Sequence, residues 1–423
     1  MNQRALLLGS FNAALAAADP LAIVPSHLPP PPRGRTLVLG AGKAAASMAA
    51  AVEAHWPEGA PLEGLVITRY GHGLPTSRVR VIEAGHPVPD EAGELAARQI
   101  LAKASALGPD DLLLALVSGG GSSLLSLPVE GIAMSDLKAV TRDLLACGAP
   151  IQDMNTVRKH LSAIQGGRLA LASPAPVLAL VISDVTGDDP THIGSGPCTP
   201  DPTTYQDAKE ILARFGVTPP ASIAAHLERG ISGQVPETPK PGDQAFTRVE
   251  NRVIATAHQS LMAAAAFVQH RGITPMVLGD SVTGEASEVA KVYAALARQV
   301  RRHSHPIKPP VALISGGETT VTVRGSGKGG RCSEFLLSLA VELEGLVNTW
   351  ALACDTDGID GAESNAGAIV APDTLARAGE LGLHAKRMLA DNDAFGFFDA
   401  LGDLVVTGPT RTNVNDFRVI LVQ

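Results

Sequence analysis

The sequence predicts an α/β protein of two domains, each with helices packed against a β-sheet. From residue 36 onwards, short apolar runs that suit buried strands alternate with Ala-rich stretches of helical spacing. Such alternation indicates a mostly parallel sheet covered by helices on both faces. A second series follows the polar, Pro- and Gly-rich segment 229–244, and 423 residues suffice for two or three domains. We therefore expect a domain boundary within 229–244.

The first half of the chain opens with a helix. Leu8, Phe11 and Leu15 recur at helical spacing, Asp19 and Pro20 end the pattern, and a Pro-rich connector follows at 25–32. Strands are then predicted at 36–39, 65–68, 79–82, 112–117 and 177–182. Helices are predicted at 44–55, 90–107, 135–146 and 156–164.

The second half repeats the alternation, and we expect a smaller α/β domain there. Strands are predicted at 252–256, 274–278, 311–315, 319–323, 351–353, 403–406 and 417–422. Helices are predicted at 258–270, 284–302 and 333–343. No fixed-period repeat and no low-complexity tail interrupts this pattern.

Composition and charge exclude several classes of protein. The net charge is −8 and no basic block occurs, which argues against a nucleic-acid partner. Four well-separated cysteines indicate neither a disulfide framework nor a zinc site. No apolar run reaches the ~18 residues of a membrane span. The N-terminal stretch also fits a signal peptide, but Asn12 interrupts its apolar run, so we expect a cytoplasmic protein without a membrane partner.

A glycine-rich loop follows the apolar run 112–117 directly. Three consecutive glycines permit positive φ angles, and the serines after them can open a helix whose N–H groups point outward. We therefore predict a phosphate-binding loop, with an ordinary strand-to-helix turn as the alternative. The loop comprises Ser118, Gly119, Gly120, Gly121, Ser122 and Ser123.

A second glycine turn, at 40–45, fits the dinucleotide-binding pattern G-x-G-x-x-A after a strand. That interpretation also requires an acidic residue at the end of the next strand, where this chain has Thr68 and Arg69. The fingerprint is therefore incomplete. The turn instead carries Lys43, a cation at a predicted helix N-terminus.

Further polar loops follow other predicted strands. The Gly-rich segment 325–331 carries two cations and leads into a helix, so it is a candidate to close over an anion, with a mobile hairpin loop as the alternative. The segment 183–190 carries Asp184 and Asp188, and the segment 355–361 carries Asp355 and Asp357. Carboxylates on such loops suit Mg²⁺ bound with phosphate oxygens, and an Asx-rich turn is the alternative.

Seven segments together resemble the glycerate 2-kinase family over nearly the whole chain. They are VLGAGKAAASMA, EAGHPVPDE, LVSGGGSSLL, NTVRKHLSAIQGGRLA, ISDVTGDDPTHIGSGPCTPDPTTY, SGGETTVTVRGSGKGGRCSE and DTDGIDG. The resemblance implies a Rossmann-like domain over 1–235 and a C-terminal MOFRL-type domain with a mixed sheet over 236–423, with the active site in the cleft between them. It implies transfer of the ATP γ-phosphoryl group, with Mg²⁺, to the 2-hydroxyl of D-glycerate.

By the same resemblance, the family's catalytic lysine and arginine fall on Lys43 and Arg331, and either could instead hold the glycerate carboxylate. Asp184 is the candidate to orient the hydroxyl or accept its proton, with Asp188 as the alternative, because the sequence does not separate the base from a metal ligand. Asp188, Asp355 and Asp357 are candidate metal ligands. Two further residues, His72 and Asn413, complete the expected substrate-binding set.

Two other functions stay open at this point. Some family members are named hydroxypyruvate reductase, which would require NADH or NADPH, and a non-catalytic binder of phosphorylated metabolites would use the same loops. The incomplete dinucleotide fingerprint argues against the reductase. We expect either a monomer or a homodimer.

Overall fold

The computed structural model describes residues 2–423 and has the predicted α/β architecture, divided into two compact units. The central unit is Pro20–Ile254. The terminal unit combines the chain up to Asp19 with Ala255–Gln423. Each unit contains one six-stranded sheet.

The central unit contains strands and helices in alternation. Its strands are β1 (Thr36–Ala41), β2 (Leu62–Arg69), β3 (Val79–Ala84), β4 (Leu112–Val117), β5 (Val177–Ile182) and β6 (Val249–Ala255). One helix of the terminal unit, α1 (Gln3–Ala16), precedes them. The helices of the central unit are α2 (Pro20–Ile23), α3 (Ala45–His55), α4 (Glu91–Ser105), α5 (Gly121–Leu124), α6 (Met134–Ala146), α7 (Ile151–Leu161), α8 (Arg168–Ala172), α9 (Tyr205–Arg214) and α10 (Ala221–Ile231), with 3₁₀ turns at Val24–His27, Ile193–Ser195 and Gln244–Arg248.

The central sheet has the strand order β3-β2-β1-β4-β5-β6, and the pairs from β3 through β5 are all parallel. This is the Rossmann-like order, in which the chain reverses its direction of travel across the sheet between β1 and β4. Ligands of such sheets bind beyond the carboxyl ends of the strands at that point. The fold therefore directs attention to the loops that follow β1 and β4.

The terminal unit has a mixed sheet, as predicted. Its strands are β7 (Thr274–Gly279), β8 (Gly284–Glu285), β9 (Val311–Ser315), β10 (Thr319–Thr320), β11 (Thr349–Asp355), β12 (Gly367–Val370), β13 (Leu404–Val405) and β14 (Asp416–Val422). Its remaining helices are α11 (Ala257–Gln269), α12 (Ala286–His303), α13 (Arg331–Leu343), α14 (Thr374–Glu380), α15 (Ala385–Ala390) and α16 (Ala394–Leu401). The order is β13-β12-β11-β14-β9-β7, in which only β7 and β9 pair in parallel.

The division of the chain differs in two places from the predicted bounds 1–235 and 236–423. Helix α1 packs in the terminal unit, where Phe11 and Phe417 have ring centroids 5.8 Å apart. Strand β6, predicted at 252–256 as part of the second domain, instead extends the central sheet beside β5. Both segments look apolar locally, and only their distant partners decide which core they join.

Buried side chains form cores on both faces of the terminal sheet. One core joins the sheet to α12 and α13, and the other joins it to α1 and α11. Within residues 2–423 no single helix has the length and hydropathy to cross a membrane. Helix α1 and the segment Pro20–His27 meet both criteria only as a pair bent by 47°.

Candidate active site

The carboxyl ends of four neighbouring parallel strands bring the predicted central-unit residues to one edge of the sheet. Lys43 follows β1, and His72 follows β2. The triglycine loop follows β4, and Asp184 and Asp188 follow β5. Strands β2, β1, β4 and β5 are consecutive neighbours in register, so these loops share an edge.

Two of these loops are hydrogen-bonded to each other. The Lys43 amide donates to the Gly119 carbonyl at 2.8 Å, and the Ala44 amide donates to Ser118 Oγ at 3.1 Å. Ser118 is fully buried, so its hydroxyl is already used within the protein. Ser118 therefore does not belong to the part of the predicted phosphate loop that can face a ligand, and that part is shorter than 118–123.

The first glycine turn has no backbone N–H left for a ligand at residues 42–45. Besides the two bonds of Lys43 and Ala44, Gly42 donates to Ile67 O at 3.0 Å and Ala45 donates to Gly42 O at 3.1 Å. A dinucleotide pyrophosphate needs such N–H groups at this turn. The geometry therefore counts against the dinucleotide interpretation.

Gly42 is required where it stands. Its φ is +142°, and a Cβ atom there would lie 2.1 Å from Ser118 Oγ. We expect Gly42→Ala to lower the free energy of unfolding by about 1–3 kcal/mol, the usual cost of overpacking, measured by urea denaturation.

Gly59→Ala is the matched control for this substitution. Gly59 also has a positive φ, +83°, but a Cβ atom there would meet nothing within 4 Å. The control carries the backbone strain without the collision. Equal destabilisation of the two variants would contradict the proposed steric role of Gly42.

The triglycine loop turns sharply and leaves backbone donors outside the protein's own bonding. Gly120 has φ +79° and precedes the four-residue helix α5. Across residues 2–423, the amides of Gly119, Gly120 and Ser122 find no protein acceptor. The Ser122 hydroxyl accepts from Ser195 Oγ at 2.8 Å. Three adjacent backbone donors of this kind suit a phosphate or carboxylate oxygen.

Cationic groups surround this loop. A Cβ atom on Gly120 would lie 2.9 Å from His86 Nε2 and 3.4 Å from Lys43 Cγ, so both side chains pack against the glycine. Burial, and then the charges of Lys43, Arg69, His72 and Arg158, lower the pKa of His86 to about 3. The histidine is therefore neutral at physiological pH. Burial is the largest cause of this shift, and only the smaller contributions from the neighbouring cations reflect a local field that favours anions.

The structure also places the other predicted residues of the central unit. His72 is buried, with Nδ1 3.3 Å from the Tyr70 carbonyl. Asp184 is half-buried directly after β5, and Asp188 is half-buried with φ +54°. A positive φ at a residue other than glycine is uncommon and is found most often where a loop is held for function.

In the terminal unit, Arg331 is the first residue of α13 and contacts three carboxylates. Its Nε lies 2.7 Å from Asp416 Oδ1, its Nη1 2.7 Å from Glu318 Oε1, and its Nη2 2.7 Å from Asp355 Oδ2. Burial opposes its charge, but Asp416, Asp355 and Glu318 outweigh burial and raise the pKa of Arg331 well above its usual value. The guanidinium has five N–H donors, so two N–H groups remain for a substrate oxyanion.

The carboxylates of the acidic loop after β11 already form hydrogen bonds and an ion pair within the protein, so this loop does not resemble a ready metal site. Asp355 Oδ1 accepts from the Asp357 amide at 3.0 Å, while its other oxygen pairs with Arg331. Asp357 Oδ1 accepts from the Ile359 amide at 2.8 Å. No group of three or more His, Cys, Asp or Glu side chains within residues 2–423 has the arrangement of a metal site. The metal assignments remain predictions.

The loop that precedes β14 packs on this acidic loop. The Thr356 hydroxyl donates to the Asn415 carbonyl at 2.6 Å, and the Val414 amide donates to that hydroxyl at 2.9 Å. Asn413 is buried there, and its Oδ1 accepts from the Asn415 amide at 3.3 Å. Asn413, Asp355 and Asp357 are therefore brought to the same end of the terminal sheet.

The N-terminus of α13 is occupied by the chain's own carboxylate. Asp360 Oδ1 accepts from the Cys332 amide at 2.9 Å, and Oδ2 accepts from the Ser333 amide at 2.8 Å and from Ser333 Oγ at 2.6 Å. The segment 325–331 was expected to close over an external anion at this helix end. That expectation is wrong for the helix amides, because Asp360 already uses them.

We expect Asp360→Asn to lower the free energy of unfolding by about 1–3 kcal/mol, because the amide group replaces one buried acceptor. Burial raises the pKa of Asp360 to about 6 although Ser333 and Cys332 donate to it. A raised folded-state pKa contributes stability below about pH 4 that is lost as the pH rises to about 6. The difference in Tm between wild type and variant should therefore shrink between pH 4 and pH 7.

The exposed Asp399 on α16 supplies a control, since Asp399→Asn should leave Tm unchanged across this range. A Tm difference for Asp360→Asn that stays constant with pH would contradict the assigned cause of the pKa shift.

Several residues at the site were missed from the sequence. Asn155 and Gln165 support the triglycine loop. Gln165 Nε2 donates to the Ser122 carbonyl at 2.8 Å, and Asn155 Oδ1 lies 3.2 Å from Ser195 Oγ, which in turn donates to Ser122. Asp416 and Glu318, the partners of Arg331, were also missed. Asn155 and Gln165 lie in a segment that carries the family resemblance, so the sequence marked that segment but did not show what these two side chains do.

Two family models match the chain. A domain of unknown function (DUF4147) matches residues 6–228, and the MOFRL family matches residues 311–416. A D-glycerate 2-kinase from Thermotoga maritima is 38% identical over 99% of this chain and 98% of its own length. The chain belongs to the glycerate 2-kinase family. The resemblance inferred from the seven segments is thereby confirmed.

Other members of the glycerate 2-kinase family support the fold and show how names vary. The crystal structure of a glycerate kinase from Thermotoga maritima has a TM-score of 0.87 at 36% identity and covers 100% of this chain and 99% of its own. A protein of Agrobacterium vitis is 51% identical over 100% of this chain and 95% of its own length, and it carries the provisional name hydroxypyruvate reductase. Names within the family therefore do not choose between the two reactions.

Proposed function

We propose that this protein is a glycerate 2-kinase, which transfers the γ-phosphoryl group of ATP to the 2-hydroxyl of D-glycerate and releases 2-phosphoglycerate and ADP. The observation that carries the proposal is the full-length similarity to the D-glycerate 2-kinase from Thermotoga maritima. The anion-binding character of the triglycine loop supports it, since phosphoryl transfer depends on positioning and charge neutralisation.

In the proposed reaction, the 2-hydroxyl oxygen forms a bond to the γ-phosphorus while the bond to the bridging oxygen of ADP breaks. The amides of Gly119, Gly120 and Ser122 position phosphate oxygens. Such backbone donors contribute only ~0.3–1 kcal/mol of charge stabilisation, up to ~2 kcal/mol in buried geometries. The larger part is assigned to Lys43 and Arg331, because a well-placed cation contributes about 10³- to 10⁵-fold in phosphoryl transfer.

Asp184 is proposed to accept the hydroxyl proton. Mg²⁺, which binds phosphate oxygens together with one or two carboxylates, would neutralise charge on the transferred group. Of the predicted ligands, Asp188 stands at the same sheet edge as the triglycine loop. Asp355 is the weaker candidate, because it is already paired with Arg331. Asp357 remains a candidate.

The alternative is a hydroxypyruvate reductase, favoured by the name of the relative from Agrobacterium vitis. Two observations weigh against it: residues 42–45 have no amide left for a pyrophosphate, and β2 ends at Arg69 rather than at an acidic residue. Because an arginine in this position suits the 2′-phosphate of NADP, NADPH must be tested as well as NADH.

One assay separates the candidates. We expect D-glycerate with MgATP to give equal amounts of ADP and 2-phosphoglycerate, with 3-phosphoglycerate distinguished by a coupled enzyme. Oxidation of NADH or NADPH by hydroxypyruvate without ATP would instead establish the reductase. Ligand-induced stabilisation without either turnover would indicate a binding protein.

A further inference from the structure

Arg158 on α7 is a half-buried cation of the central unit. Across residues 2–423 its guanidinium makes one hydrogen bond, from Nη1 to Asn155 Oδ1 at 3.3 Å, and no ion pair. Burial alone lowers the pKa of Arg158 to about 10. By contrast, the half-buried Arg331 and the fully buried Arg418 both pair with carboxylates. The guanidinium of Arg158 therefore has donors and a charge that an anion from outside the chain could use.

The guanidinium lines a pocket beside the triglycine loop, entirely within the central unit. Ser122, Ser126, Ser162 and Gln165 also line it. Their polar groups are largely used within the protein: Ser126 Oγ donates to the Ser122 carbonyl, and Ser162 Oγ accepts from the amides of residues 164 and 165. Lys138 and Thr141 line the pocket as well, so Arg158 and Lys138 are its two cations. Together they supply most of its remaining donors, which suits an anionic ligand rich in acceptor oxygens.

Hydrogen bonds connect this pocket to the triglycine loop. Asn155 Oδ1, the acceptor for Arg158, lies 3.2 Å from Ser195 Oγ, which donates to Ser122 Oγ at 2.8 Å. Ser195 is fully buried with φ +60°, an uncommon conformation for a residue other than glycine. The chain thus holds Arg158 at a fixed place relative to the amides that are proposed to receive phosphate.

We propose that Arg158 binds the carboxylate group of the acceptor substrate, an inference that rests on the proposed kinase function. The reaction brings two anions to one loop, a phosphoryl group and a hydroxy acid. Lys43 packs on Gly120, at the proposed phosphate side. Arg158 gives the hydroxy acid a cation of its own, and the planar guanidinium fork matches a carboxylate in two-point contact.

Arg158→Gln tests this assignment by steady-state kinetics. The loss of a charged hydrogen-bonding partner should raise the KM for D-glycerate by about 10- to 100-fold and leave the KM for ATP within about threefold. Arg158→Lys should recover part of the loss. The exposed Arg142→Gln on α6 is the matched control and should behave as wild type.

The Tm of Arg158→Gln distinguishes ligand binding from a structural role, because the loss of a structural contact would lower the Tm. Because the variant removes a half-buried charge that forms no ion pair within residues 2–423, the Tm of ligand-free Arg158→Gln should equal or exceed that of wild type. D-glycerate alone should raise the Tm of wild type but not of the variant, and glycerol, which lacks the carboxylate, should raise neither.

An unchanged KM for D-glycerate, or a rise confined to the KM for ATP, would overturn the assignment, and the second result would place a nucleotide phosphate in the pocket. A marked fall in Tm would also overturn it in favour of a structural role. If wild type shows no kinase turnover but D-glycerate still stabilises it through Arg158, the proposed function fails while the carboxylate site stands.

Discussion

Arg331→Ala is expected to reduce kcat/KM for D-glycerate phosphorylation by about three decades or more, the contribution of a well-placed arginine to phosphoryl transfer. The substitution also leaves carboxylates behind. Asp416 keeps Arg418 as a partner, but Asp355 loses its ion pair, and a buried charge left unpaired is destabilising by about 3–5 kcal/mol. Activity and stability must therefore be measured together, by steady-state kinetics and thermal unfolding.

A second variant separates the two effects of losing Arg331. In Arg331→Met combined with Asp355→Asn, the carboxylate left unpaired is neutralised, so Tm should recover towards the wild-type value. Activity should not recover, because the guanidinium assigned to the transferred group is still missing and Lys43 alone does not replace it. If a well-folded Arg331 variant keeps kcat/KM within about tenfold of wild type, the catalytic assignment is wrong.

Lys43→Ala is expected to lower kcat by about 10²- to 10³-fold, the usual cost of removing one preorganised donor to developing negative charge. The substitution keeps the backbone amide of Lys43, whose hydrogen bond to the Gly119 carbonyl joins the two loops. Kinetics and Tm of the variant are the measurements. Lys209→Ala on the outer face of α9, which removes an exposed ion pair with Glu228, is the control.

Lys43→Arg adds a test of position. It retains the charge but changes its reach beside Gly120, so we expect it to recover only part of the lost kcat. A rise in the KM for D-glycerate at unchanged kcat in Lys43→Ala would argue that Lys43 holds the substrate carboxylate, and would contradict its role at the transferred phosphoryl group.

The part of the fold that could be predicted from the sequence is the part determined by local apolar runs. Strands β1, β4 and β5 are short buried runs followed by turn residues, and each lies within a residue or two of its predicted bounds. Strand β12 and helices α9 and α10 were missed. Gly367–Val370 is too short to show a period. Helices α9 and α10 carry their apolar residues on one face, and α9 starts with a capping box, so a signal for both was present in the sequence and was overlooked.

The candidate site likewise contains some features that could be predicted from the sequence and others that could not. The turns that need glycine could be found, because their backbone conformation selects glycine at 42 and within 119–121. The roles of charged residues could not, since their partners are distant in the chain. Asp360 looked like one more carboxylate of an acidic loop, yet it binds the amides at the start of α13. Arg158 was given no role, although it lies in one of the segments that carry the family resemblance.

The placement of α1 has a consequence for how the protein folds during synthesis. The central unit is continuous in sequence, so its sheet can form as soon as β6 has been made. The terminal unit cannot, because its core needs α1 and also β14, the last strand in chain order, which pairs with both β9 and β11. Domains generally fold as units in the order of their synthesis. Helix α1 is made before the central unit, so its apolar face stays uncovered until β14 has been made.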